Sequence, residues 1–203
     1  MKKIKFMMLL FLISIMTNIN AQDLKVNLPI TPNQVVKLAQ QELPNMLQLI
    51  EPDQMIDFGF DLTEDFTNVE IGQPFYVVSL PRTTKTIISE TIEVNPYTIA
   101  LPLILDGTAR CLLYVSPEGR DWKVVGIGEG SLVDSQSDIF STSTKQDGSS
   151  QVIISIPHMS QRYLMESNDS FKPLFLFKNY SMESISLKEL MIFNNSQIIE
   201  PND

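Results

Sequence analysis

Ile99-Ala100-Leu101-Pro102-Leu103-Ile104-Leu105-Asp106-Gly107-Thr108-Ala109-Arg110-Cys111-Leu112-Leu113-Tyr114-Val115 reads as a single β-hairpin. Two runs rich in Leu, Ile and Val flank Asp-Gly, a dipeptide that tolerates the positive φ of a two-residue turn. Ser116-Pro117-Glu118-Gly119-Arg120-Asp121 then supplies a second turn, and Trp122 to Ile127 a third strand. An antiparallel meander follows. Two further β-rich runs precede it. Phe75 to Leu80 is entered through Gly72 and Pro74, and the weaker run Ile87 to Val94 ends at Asn95-Pro96.

Upstream, the apolar period becomes helical. Val35, Ala39, Leu43, Met46 and Ile50 form one stripe, and Thr31-Pro32 offers an N-cap followed by a residue that needs no amide partner. The spacing predicts a helix over 32–50, kinked or divided at Pro44 and ended by Glu51-Pro52-Asp53. Downstream, Ser131 to Phe140 suits a short helix, and the polar stretch from Ser141 to Ser150 suits a linker or exposed loop. Gln151 to Ile156 and Phe171 to Phe177 read as strands, and Ser186-Leu187-Lys188-Glu189 as a capping box opening a helix through Phe193. The class expected is α+β: an N-terminal helix packed on an antiparallel sheet, extended by C-terminal strands and a short helix. Residues 22–140 form the helix-plus-meander domain and 141–150 the loop. Residues 151–203 either continue that sheet or make a small subdomain.

Residues 1–21 have the layout of a secretory signal peptide. Lys2, Lys3 and Lys5 precede an apolar run from Phe6 to Met16, and a polar stretch ends on the small residue Ala21. The run is too short to cross a hydrocarbon core of about 30 Å as a helix. The expectation is cleavage after Ala21, a secreted or periplasmic protein, and no membrane span afterwards. No Cys follows the run to carry a lipid anchor. Three of the 15 basic residues and none of the 24 acidic ones lie in this segment, so the remainder is strongly acidic. Such a surface repels phosphate backbones, which disfavours nucleic acid as a partner. With Cys111 the only cysteine, no internal disulfide exists and the core alone must hold the fold.

Ile71-Gly72-Gln73-Pro74-Phe75-Tyr76-Val77, Pro102-Leu103-Ile104-Leu105-Asp106-Gly107 and Trp122-Lys123-Val124-Val125-Gly126-Ile127-Gly128, in this order after a helix, resemble uncharacterised exported bacterial α+β proteins. Over residues 31–130 the layout is also similar to helix-plus-meander domains of the cystatin-like and PepSY kind. That resemblance implies a binding role, including that of a propeptide or inhibitor of a secreted protease. The cystatin loop signature Gln-x-Val-x-Gly does not occur, and no functional residue carries over.

Single residues offer little chemistry. Cys111 and His158 could form a nucleophile pair, but Cys111 shares a strand face with Leu113 and Val115, where a thiol is buried and poorly reactive. His158 reads as a loop residue. Gly126-Ile127-Gly128-Glu129-Gly130 lacks the third glycine of a dinucleotide loop and reads as a strand end. Asp53, Asp57, Asp61, Glu64 and Asp65 miss the alternation of a calcium loop and suit a solvated acidic loop. Asn168, Asn179 and Asn194 open sequons read as polar turns. The sequence thus assigns no catalytic, cofactor-binding or metal residue and no cofactor. The contact loops it nominates are the acidic loop at Asp53, Asp57 and Asp61, the hairpin tip at Asp106 and Gly107, and the turn at Pro117, Glu118 and Gly119. The function expected is an exported, non-enzymatic binding module, its partner another exported or envelope protein. The alternatives are an inhibitor or propeptide-like partner of a secreted protease, and an enzyme of unidentified class.

Overall fold

The Asp106-Gly107 turn forms with both residues in the left-handed region, at φ 51° and 73°. The chain thereby reverses between two strands that pair antiparallel from Ile99↔Val115 to Leu105↔Thr108. The computed structural model describes residues 24–61, 64, 68–80, 92–141, 151–157, 160–167, 169–174 and 183–196. In chain order its first elements are β1 (Leu24–Val26), α1 (Pro32–Gln48), a 3-10 turn (Met55–Phe58), β2 (Glu70–Ile71), β3 (Phe75–Ser79) and β4 (Ile92–Val94). The meander follows as β5 (Thr98–Leu105), β6 (Thr108–Glu118) and β7 (Asp121–Gly128), then the short helices α2 (Gly130–Ser135) and α3 (Ser137–Ser141). β8 (Gln151–Ile156), β9 (Gln161–Ser167), β10 (Ser170–Leu174) and α4 (Leu187–Ser196) complete the described chain.

A mixed α+β architecture results. The main sheet has the order β10-β9-β8-β3-β5-β6-β7, with β2 added against β5. The expected antiparallel sheet needs correcting: β8 runs parallel to β3, from Phe75↔Gln151 to Ser79↔Ser155, and β1 runs parallel to β4. The cause is nonlocal, because β3 and β8 are joined through the whole meander and two helices and so need not reverse direction. β8 also carries the C-terminal strands into the same sheet. β9 is absent from the sequence reading, since Gln161 to Ser167 is polar enough to hide its period.

Two faces are covered differently. On one, Val35, Ala39 and Leu43 of α1 pack on Leu101, Leu103, Cys111, Leu113 and Val115 of the meander. The same face continues through Val78, Ile154 and Ile156, which are covered by Leu187, Leu190 and Met191 of α4 and by Leu24, Ile92 and Val94 of the small sheet. On the other face, Leu132, Val133 and Phe140 of α2 and α3 cover Phe75, Ala100, Leu112 and Ile153. Phe75 meets Phe140 edge-on at 5.1 Å between ring centroids.

α1 begins as expected: Thr31 and Gln34 cap one another reciprocally, with Pro32 at the first helical position. It then continues as one helix through Pro44, so the alternative of two short helices is corrected. Pro44 and Gln40, whose carbonyl would have been its partner, are both exposed, so water reaches the unbonded oxygen. The single helix expected over 131–140 is two short ones. Asn194, expected in a polar turn, lies within α4, is buried, and donates to the Leu80 carbonyl at 3.4 Å. The signal-peptide segment, the polar stretch from 142 onward, Ile87, His158, Asp65, Asn168, Asn179 and residues 175–177 lie outside the described residues. No described helix is long and apolar enough to cross a membrane.

Candidate functional site

The face covered by α2 and α3 is closed over only part of its length. Along β3 the residues on this face are Phe75, Val77 and Ser79, and along β8 they include Ile153 and Ser155. Each strand therefore changes from apolar to hydroxyl at the same level. Register makes this one rung: Ser79 pairs with Ser155, Ser155 with Arg162 of β9, and Arg162 with Leu174 of β10. Beyond the edge of α2 these four residues form the floor of an open cavity of about 650 Å³. Glu129, Ser131, Leu132, Tyr97, Pro157, Ser160 and Gln161 complete its lining.

The charged element of the site is a bidentate ion pair. Nη1 and Nη2 of Arg162 donate to the two carboxylate oxygens of Glu129, with each side chain about one-third exposed (33% and 29%). Burial works against the Arg162 charge, yet the hydrogen bonds and negative charge of Glu129 outweigh it and hold the guanidinium above its ordinary pKa. The buried Tyr114 hydroxyl stands beside this pair. Burial first, then the charge of Glu129, pushes the phenol well above its ordinary range, so it remains protonated.

Glu129 is held in place by backbone geometry. It caps α2 from the left-handed region (φ 62°, ψ 33°), a conformation that costs a non-glycine residue energy. Its neighbour Gly130 is packed so closely that an added Cβ would lie 2.9 Å from the Phe58 carbonyl carbon and 3.0 Å from the Asp57 oxygen. The 3-10 turn thus seats on the start of α2 and fixes where Glu129 leaves the strand. The sequence signals were available but weak. One was a serine at the same step in Val77-Val78-Ser79-Leu80 and Ile153-Ile154-Ser155-Ile156. The other was a charged residue between Gly128 and Gly130.

None of the eight nominated loop residues lines the cavity. Asp53, Asp57 and Asp61 are exposed on the segment after α1, and Asp106 and Gly107 are exposed at the hairpin tip. These two regions share one end of β6, where Glu64 pairs with Arg110 and Gly59 packs on the Arg110 carbonyl. Pro117, Glu118 and Gly119 are exposed at the other end, roughly 35 Å away at ~3.3 Å per strand residue. The three loops therefore do not form one surface. Cys111 is fully buried under α1, and burial pushes its thiol up to about 12. Among the described residues, no group of three or more His, Cys, Asp or Glu side chains could hold a metal ion. Compared with known proteins, the chain matches no family model, no curated protein and no solved structure.

Proposed function

We propose that this chain is a non-enzymatic binding module that takes a small molecule into the Glu129–Arg162 cavity. The observation that carries this reading is the hydroxyl-and-ion-pair rung left open where α2 ends, on a face otherwise sealed by apolar packing. The volume of about 650 Å³ is in the range of ligand sites, and the lining combines apolar walls with a few fixed polar groups. A carboxylate clamped by two parallel bonds is fixed in orientation, as a recognition group needs to be. The residue 1–21 pattern supports export of this module to the periplasm or the medium. The seating of α1 on the meander supports its likeness to helix-plus-meander domains of the cystatin-like kind.

Ser131 is exposed at the rim, so Ser131→Trp fills the mouth without disturbing the core. A panel of small polar and amphipathic molecules is screened by the melting temperature of the protein. A ligand that binds only the folded state raises that temperature. The expected result is at least one compound that stabilises the wild type and leaves Ser131→Trp unchanged. Equal stabilisation of both proteins by every hit, or no hit at all, would overturn the reading.

A further inference from the structure

Resting on that reading, we infer that the cavity recognises a neutral, polyhydroxylated ligand, a sugar or acyclic polyol. The inference comes from the charge balance and hydrogen-bond inventory of the lining. Glu129 and Arg162 neutralise one another through two parallel bonds, so the floor presents no net charge. An anionic ligand on the spare donors of Arg162 would lie beside the Glu129 carboxylate, and a cationic one on Glu129 would lie beside the guanidinium, so repulsion from the second partner offsets attraction to the first. Displacing either partner instead would leave it as an uncompensated, partly buried charge, which is strongly unfavourable.

A neutral ligand leaves the pair intact. Two parallel bonds engage only part of the donor capacity of a guanidinium and part of the acceptor capacity of a carboxylate. A donor and an acceptor side by side match a vicinal diol, in which each hydroxyl both gives and receives a bond. Ser79 and Ser155 add two hydroxyls of the same dual character on the adjoining strands, Ser131 and Ser160 add two more at the rim, and Gln161 adds an amide whose oxygen accepts from the Tyr163 hydroxyl. Leu132, Leu174 and Pro157 offer apolar surface for the C–H faces of such a ring. Tyr97, 45% exposed at the mouth, supplies an aromatic plane with a polar tip. A purely apolar ligand would strand the serine rung and the ion pair without water, so the polar floor argues against it.

The test titrates the protein by calorimetry with glucose, myo-inositol and mannitol, and with succinate, glycine and putrescine as charged comparators. The inference expects at least one neutral polyol to bind, with affinity lowered about tenfold or more in Arg162→Gln, the loss of a charge-assisted bond. The same binding is lost in Ser131→Trp and weakened in Tyr97→Ala, two rim variants that leave the buried floor untouched. Melting curves confirm that each variant is folded. Tighter binding of succinate, glycine or putrescine, abolished by Ser131→Trp, would overturn the ligand class while the cavity remains a binding site. No binding by any of the six overturns the ligand class. Polyol binding unaffected by Ser131→Trp overturns both.

Discussion

At the scale of single residues, two glycines on either side of one contact govern how the site is assembled. Gly59 ends the 3-10 turn at φ 79°, and a Cβ there would lie 2.6 Å from the Arg110 carbonyl oxygen. Gly130 receives the same turn at the start of α2. Alanine at either position forces backbone apart, and at Gly59 it adds the cost of a left-handed conformation. Gly59→Ala and Gly130→Ala are each expected to destabilise the fold by about 2 kcal/mol or more, measured by urea denaturation. An effect near zero at Gly130 would show that the turn is not seated as described. Some residue roles were legible beforehand. Cys111 was readable as buried because alternation along one strand places it beside Leu113 and Val115. Glu129 was not, because its role depends on Arg162, 33 residues further along, in a strand with no clear period.

At the scale of elements, helix starts were legible because a cap is written within four residues. Ser186 and Glu189 form the expected box at the head of α4: the Ser186 amide donates to Glu189 at 2.8 Å, and the Glu189 amide donates to the Ser186 hydroxyl at 3.3 Å. The Ser186 backbone bond, followed by its hydroxyl, holds the Glu189 carboxyl below its usual 4.5. A carboxyl lowered in the folded state stabilises the fold above its unfolded pKa, and that contribution is lost as pH falls through the folded value. Glu189→Gln should therefore lower the melting temperature at pH 6–7, and the gap to the wild type should narrow as pH falls from 4.5 through the lower folded value. A gap of constant size at all pH values would mean that the carboxylate charge plays no part in the cap. Strand partners were less legible. The Asp106-Gly107 turn specifies β5 against β6 locally, whereas nothing near Phe75 specifies Gln151 as its neighbour in the parallel pair.

At the scale of the whole molecule, the parallel β3–β8 pair joins what the sequence divides at residues 141–150. β3 lies between β5 of the meander and β8, which in turn carries β9 and β10. The cavity floor takes Ser79 from one half and Ser155 and Arg162 from the other, so its geometry depends on that junction. Trp122, the only tryptophan, packs on the α1 side of the meander and reports on the first half alone. Ile154 is fully buried on β8, on the face covered by α4. Ile154→Ala removes buried methyl groups there and should cost about 2–5 kcal/mol. If the sheet unfolds as one unit, this substitution lowers the urea midpoint of Trp122 fluorescence and of far-ultraviolet circular dichroism by the same amount. A Trp122 midpoint that stays in place while the dichroism midpoint falls would show two halves that unfold separately. The cavity would then lie on a seam between two units, and ligand binding would draw the two midpoints together, because a ligand held by Ser79 and Arg162 at once stabilises both.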